Sequence, residues 1–142
     1  MSIYVPRGLR DEVWKDAGGL CGYCRTHEDL LGIAHEVEHL TPVSRGGETI
    51  RDNLWLACRR CNSFKGERQF RLDPMTNEQV ALFDPRHEDW PAHFVWEAGG
   101  LHIRGRTPTG RATEVALNLN LPIAVRARSL WILSGRFPPR HL

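Results

Sequence analysis

Four cysteines, arranged as two Cys-x-x-Cys pairs, constrain the fold of this chain more than any other feature. The pairs are Cys21 with Cys24 and Cys58 with Cys61. Each pair can form a knuckle, a tight turn that places two thiolates on one side, and two knuckles complete a closed tetrahedral site for Zn²⁺. Because cysteine supplies all four ligands, no coordination position stays open, and the spacing predicts a structural zinc ion rather than a catalytic one.

Disulfides and a redox-active pair are the other uses that the cysteines could have. Disulfides are rare in a reducing cytosol, and two redox-active Cys-x-x-Cys pairs in one chain are uncommon. The N-terminal segment lacks the hydrophobic core of a secretory signal, and no apolar run approaches membrane-spanning length. We therefore expect a cytoplasmic protein that does not insert into membranes and that carries zinc on its cysteines.

The composition is that of a folded protein, and its positive charge is unevenly distributed. The 142 residues, 41% hydrophobic and 25% charged, suit one ordinary domain or a small metal-stapled domain with an added lobe. A net charge of +2 is too small to indicate a nucleic-acid partner. However, residues 59–71 carry five basic side chains against one acid, which favours phosphate contact there. The arginines of the C-terminal half could equally be solvated.

Hydrophobic periodicity and turn residues predict the order of helices and strands. The predicted elements are a helix over 6–17, a strand over 32–39, a loop over 41–53, a strand over 54–58 and a helix over 59–68. After a turn-rich stretch at 72–91 we expect a hairpin (93–96 with 101–104), a helix capped at Thr107 or Thr109, and a last helix that begins at Pro122. The last helix carries Ile123, Ala127 and Leu130 on one side. A boundary near residue 72 separates two regions, 1–72 and 73–142.

Three segments between and beside the knuckles carry the polar residues of interest. They read HEVEHLTPVSRGG at 35–47, DNL at 52–54 and CNSFKG at 61–66. Together they resemble the HNH endonuclease family, whose fold is the ββα-metal (His-Me) finger. The family pattern has an acid-His pair at the end of the first strand, a Pro-Ser-Gly-Gly loop, an Asn before the second strand, and a His or Asn in the helix beside the second knuckle. The resemblance covers residues 20 to 68 or so.

The resemblance implies that His39 is a general base. Hydrolysis of a phosphodiester needs an activated water in line with the leaving oxygen. A neutral imidazole, with an ordinary pKa of about 6.5, can take the proton of that water at cellular pH. Asn53 corresponds to the middle Asn of the family, which braces the loop and orients the base histidine.

The resemblance also implies a catalytic divalent cation, held by Glu38 and by the side-chain oxygen of Asn62. Magnesium takes few protein oxygens and keeps several waters, so this sparse set suits it. The chain departs from the pattern in two ways: Glu38 stands where many relatives have Asp, and Asn62 stands where others have His. A site without a second imidazole favours Mg²⁺ or Mn²⁺ over zinc or nickel. Neighbouring strand residues point to opposite faces, so Glu38 and His39 can share one site only at a strand end or a bulge, and the strand can stop at residues 40–42.

The sequence thus predicts an α+β protein with a ββα-metal (His-Me finger) nuclease core, a four-cysteine structural zinc and a small C-terminal α+β lobe. The expected activity is metal-dependent cleavage of DNA, by nicking or by cutting both strands, to 5′-phosphate and 3′-hydroxyl ends. Arg45, Arg59 and Lys65 are the expected phosphate contacts. Two alternatives stay open: a zinc-stabilised nucleic-acid-binding module, such as a modified-base reader, and an RNA-directed nuclease. A homodimer is also open.

Overall fold

The computed structural model describes residues 4–140. Its helices and strands occur in the following order: α1 (Arg7–Ala17), α2 (Glu28–Leu31), β1 (Glu36–His39), β2 (Leu54–Ala57), α3 (Arg59–Lys65), β3 (Phe70–Leu72), β4 (Gln79–Ala81), α4 (Trp90–His93), β5 (Phe94–Glu97), β6 (His102–Gly105), α5 (Pro108–Ala116) and α6 (Pro122–Leu133). Single 3₁₀ turns lie at Val43–Arg45, Arg51–Asn53 and Ala98–Gly100.

Helix α1 has the extent that the sequence predicted. It starts directly after Pro6, which has an extended conformation, and it ends at Gly18, which adopts a left-handed conformation with φ of 63°. Val13 and Ala17 are buried on one face, in a hydrophobic cluster with Leu54 and Leu56 of β2. The helix therefore covers one side of the β1–β2 hairpin.

The predicted order of strand, long loop, strand and helix is confirmed. Strand β1 pairs with β2 in antiparallel register, with Glu36 opposite Ala57 and His39 opposite Leu54. Helix α3 follows Cys58 and packs against both strands. Strand β1 is shorter than predicted because Gly32 ends helix α2 in a left-handed conformation, with φ of 67°.

The C-terminal region contains the predicted hairpin and both predicted helices. Strands β5 and β6 pair in antiparallel register. The hydroxyl of Thr107 accepts a hydrogen bond from the Gly110 amide at 3.0 Å and so caps α5. The β3–β4 hairpin was not predicted, since the turn residues around it indicated only a loop.

The side of α6 that carries Ile123, Ala127 and Leu130 is not the side that packs into the core. Ile123 and Leu130 are 56% and 67% exposed, whereas Ala124 and Arg128 are buried. Arg128 can be buried because its guanidinium donates hydrogen bonds to the carbonyl groups of Leu101 (2.9 Å) and Leu119.

One hydrophobic cluster joins the cysteine knuckles to the C-terminal region. Aromatic side chains of the C-terminal region, Phe83, Trp90 and Phe94, pack in the same buried cluster as the four cysteines and Tyr23. The indole N–H of Trp90 donates to the backbone carbonyl of Tyr23 at 2.8 Å. The boundary that we placed after residue 72 therefore does not coincide with a gap between two cores. It falls within the segment that forms the β3–β4 hairpin.

Among residues 4–140, no helix combines the length and the apolar composition that crossing a lipid bilayer requires.

Candidate active site

The four cysteines come together in one buried cluster. Their sulfur atoms all lie within 4.8 Å of one another, and Cys24 Sγ lies 3.8 Å from Cys58 Sγ. Tetrahedral zinc with bonds of about 2.3 Å to sulfur places neighbouring sulfurs about 3.8 Å apart. The cluster thus has the ligand type, number and spacing to hold a zinc ion, as the sequence predicted.

Positive side chains surround the cysteine cluster. A zinc ion bound to four thiolates would carry a net charge of about −2, which a buried site must offset. Burial opposes the charged form of Arg60, but the thiolates of Cys61 and Cys24 outweigh it and raise the pKa of this guanidinium. Arg128, from α6, is also close enough for the thiolates to favour its charged form, although burial lowers its pKa overall. The C-terminal region therefore contributes charge to the cluster as well as apolar cover.

A separate, open cavity lies along β1. Consecutive residues 34–39 line it, together with residues of the loop after β1 and of α3. Glu38, His39 and Asn62, three of the predicted catalytic residues, are among the lining residues. Because β1 ends at His39, side chains from both faces of the strand can reach the same cavity, as the sequence argument required.

The imidazole of His39 is held by the loop that follows it. Its Nε2 lies 2.9 Å from the hydroxyl oxygen of Thr49. Within residues 4–140, no group is hydrogen-bonded to Nδ1, so this nitrogen is free to accept a proton. Partial burial lowers the pKa of His39 below its ordinary value of 6.5, which favours the neutral imidazole at neutral pH.

The side chain of Asn53 is hydrogen-bonded to the backbone of the loop that follows β1. Its side-chain oxygen accepts a hydrogen bond from the Thr41 amide at 2.8 Å. Its side-chain nitrogen donates to the carbonyl groups of Thr41 (3.0 Å) and Glu48 (2.9 Å). Gly47 permits this arrangement, since a Cβ at that position would lie 1.8 Å from the Thr41 carbonyl oxygen. Asn53 thus fixes Thr41, at the start of the loop, and Glu48, the residue before Thr49.

Glu38 is almost completely buried, at 4% exposure. One carboxylate oxygen, Oε1, accepts a hydrogen bond from the Tyr23 hydroxyl and lies 3.5 Å from Lys65 Nζ. The other oxygen, Oε2, is buried and has no hydrogen-bond partner among residues 4–140. Burial raises the pKa of Glu38, while the ammonium of Lys65 opposes that rise. A buried carboxylate oxygen without a partner, beside a cavity, is suited to a cation.

Asn62 is hydrogen-bonded to a residue that the sequence analysis did not single out. Its side-chain nitrogen donates to Glu36 Oε1 at 2.8 Å. The other carboxylate oxygen of Glu36 lies 3.5 Å from Arg59 Nε. Glu36 lies two residues before Glu38 on β1, and this alternation could have indicated that both face α3. Thr49 was missed too, and its place in a loop offered no comparable signal.

The three residues predicted to contact phosphate differ in their exposure to solvent. Arg45 is exposed at the end of the 3₁₀ turn beside the cavity, and Arg59 is exposed although paired with Glu36. Lys65 lies elsewhere than predicted: it is 4% exposed, and its ammonium pairs with Glu38. It neutralises a buried carboxylate, so its position does not support a contact with phosphate.

Comparison with known proteins bears on the same segment. A family model described as HNH endonuclease matches residues 21–68, from the first knuckle to just beyond α3. No curated protein and no solved structure gives a match. The matched segment contains the cysteine cluster, the β1–β2 hairpin, α3 and the residues that line the cavity beside His39. Residues 21–68 of this chain therefore match the HNH endonuclease domain, and the site described above lies within the match.

Proposed function

We propose that the protein is a metal-dependent DNA endonuclease in which His39 is the general base. The proposal depends chiefly on one observation: His39 lines the same cavity as Glu38 and Asn62, and its Nε2 lies 2.9 Å from the Thr49 hydroxyl oxygen. A module that only binds nucleic acid has no need of a base with one ring nitrogen held and the other free to accept a proton.

Glu38 and Asn62 are the proposed ligands of the catalytic cation. Glu38 offers Oε2, which has no partner in the described part of the chain, and Asn62 offers Oδ1, since its nitrogen is hydrogen-bonded to Glu36. Two protein oxygens form the sparse set that Mg²⁺ or Mn²⁺ accepts. A bound divalent cation would hold the scissile phosphate and stabilise the leaving 3′ oxygen.

Residues of the loop after β1 orient the general base and help to hold the substrate. With Nε2–H donated to Thr49, the neutral ring of His39 presents Nδ1 as the acceptor of the water's proton. Asn53 keeps the loop in the conformation that places Thr49 beside the ring. Arg45 and Arg59 extend positive charge from the cavity along the surface, where they can contact the phosphates that flank the cut. The products would be 5′-phosphate and 3′-hydroxyl ends.

Cleavage of supercoiled plasmid tests the proposal. The zinc-loaded protein is incubated with plasmid and Mg²⁺ or Mn²⁺, alongside His39→Ala and a matched control, His102→Ala, which removes an imidazole from β6. Metal-dependent nicking by the wild type and by His102→Ala, lost in His39→Ala, supports the proposal. Tight binding without cleavage in either metal would contradict it and would favour the nucleic-acid-binding module.

Further substrates separate the finer alternatives. Cleavage of single-stranded or duplex RNA in preference to DNA would indicate the RNA-directed nuclease. Conversion of plasmid directly to linear product, without a nicked intermediate, would indicate that two active sites act together, as a homodimer would allow. Each domain offers one such cavity, so we expect nicking. We also propose that the protein acts in the cytoplasm.

A further inference from the structure

We infer that Glu36 is a positioning residue, which fixes the side-chain amide of Asn62 so that its oxygen faces the catalytic cation. The inference rests on the function proposed above and adds a residue to it. Glu36 lines the same cavity as Asn62 and Glu38.

The orientation of the Asn62 amide follows from the chemistry of its partner. An ionised carboxylate can only accept hydrogen bonds, so it must face the NH₂ group of an amide and not its oxygen. The observed pair is Asn62 Nδ2 with Glu36 Oε1, at 2.8 Å. The two terminal atoms of an amide point in different directions, and the oxygen is therefore turned away from Glu36. Only that oxygen, and not the NH₂ group, can bind a hard cation.

Glu36 is itself held in place. Its Oε2 lies 3.5 Å from Arg59 Nε, so the carboxylate is fixed between a guanidinium on one side and the amide on the other. The side chain is 39% exposed, which means that little of the core depends on it. Its contacts are with cavity residues and with their neighbour on α3, so its loss should affect the cation site more than the fold.

We expect the substitution Glu36→Gln to reverse the orientation of the Asn62 amide. Arg59 can donate only to the oxygen of the new glutamine, which turns the glutamine NH₂ group toward residue 62. The oxygen of the Asn62 amide can accept from that NH₂ group once the amide turns over, and we expect this pairing to present the NH₂ group of Asn62 to the cation. Glu67→Gln is a matched control, because Glu67 lines the same cavity and loses the same charge.

Mn²⁺ binding to the zinc-loaded protein, measured by calorimetry in the absence of DNA, provides the test. Loss of a partner that orients a metal ligand lowers affinity by about tenfold to a hundredfold. We expect Glu36→Gln to weaken Mn²⁺ binding by about tenfold or more, and Glu67→Gln to weaken it clearly less. Zinc content and the unfolding midpoint should match those of the wild type in both variants.

The variant Asn62→Asp separates orientation from charge. Aspartate has an oxygen at both terminal positions, so it has no wrong orientation for Glu36 to prevent. In the Asn62→Asp background we therefore expect Glu36→Gln to leave Mn²⁺ binding unchanged or to strengthen it. If Glu36 were itself a ligand, or acted only by charge, the substitution would weaken binding equally in both backgrounds.

Two results would overturn the inference. Equal effects of Glu36→Gln and Glu67→Gln, or equal effects of Glu36→Gln with Asn62 and with Asp at position 62, would show that Glu36 does not orient the amide. In either case a wild type that binds Mn²⁺ and nicks DNA keeps its proposed function. A wild type that neither binds Mn²⁺ nor cleaves DNA would refute both.

Discussion

The cysteine cluster and the proposed cation site meet on one helix but differ in burial and in the number of protein ligands that they offer. Cys61 and Asn62 are neighbours on α3, and their side chains project about 100° apart around the helix axis. Cys61 belongs to a fully buried cluster whose four ligands are all protein atoms. Asn62 lines an open cavity that offers few protein ligands and therefore leaves room for water and substrate. A short helix can thus serve both a closed structural site and an open chemical one.

The comparison predicts the largest loss of stability at the closed site. We expect Cys61→Ser to lose zinc and to unfold most of the protein, because structural zinc contributes about 10–16 kcal/mol to the folding of zinc-finger peptides. Zinc content by atomic absorption and folding by circular dichroism measure the effect. A Cys61→Ser protein that stays folded without zinc would show that zinc binding is not the main source of the protein's stability.

The open site should show the opposite pattern. We expect His39→Ala to lower the cleavage rate by about 10²–10⁴-fold, the usual contribution of a general base. Its zinc content and its free energy of unfolding should stay close to those of the wild type. Plasmid nicking and denaturant titration on the same preparation measure both quantities. A large loss of stability in this variant would remove the contrast between the two sites.

Arg128 tests whether the C-terminal region is part of the closed site. Arg128→Met replaces the aliphatic stem of the side chain but leaves the carbonyl groups of Leu101 and Leu119 without the guanidinium donor. It also removes a positive charge from beside the cysteine cluster. We expect a loss of about 3 kcal/mol in the free energy of unfolding. Arg126→Met, on the same helix, is the control, and equal losses in the two variants would contradict our view.

The smallest predicted effect concerns Asn53, whose hydrogen bonds hold the loop beside the open site. Asn53→Ala removes three hydrogen bonds to loop backbone groups, and we expect it to cost about 1–2 kcal/mol of stability. Cleavage should fall further than stability would explain, because Thr49 would no longer be held against His39. The rate of nicking, measured well below the unfolding temperature, checks this. An unchanged rate would mean that the ring of His39 needs no such support.

Much of the domain could be predicted from its sequence because its signals are local. The Cys-x-x-Cys spacings identified the metal cluster, and the acid-His pair and the Asn before the second strand identified the residues beside the cavity. Pro6, Gly18, Thr107 and Pro122 mark helix ends by their own backbone and hydrogen-bonding chemistry, and the structure places helix ends at or beside each of them.

The remainder depends on contacts between distant segments, which periodicity does not report. Lys65 looked like a surface cation until the fold placed it against Glu38. Arg128 belonged to a basic cluster that could either contact phosphate or be solvated, whereas the fold brings the carbonyl groups of Leu101 and Leu119 to its guanidinium. The orienting contacts of Glu36 and Thr49 join residues 26 and 10 positions apart, respectively.

The close approach of Gly47 to the backbone of Thr41 limits how this loop can diverge in evolution. Its neighbour Gly46 has a positive φ, of 88°, but a Cβ there would meet open space, so asparagine can replace it at modest cost. At position 47 even the methyl group of alanine would displace the Thr41 carbonyl, which accepts a hydrogen bond from the Asn53 side chain. Substitution at position 46 is therefore tolerated at modest cost, while position 47 accepts only glycine as long as the loop keeps this conformation.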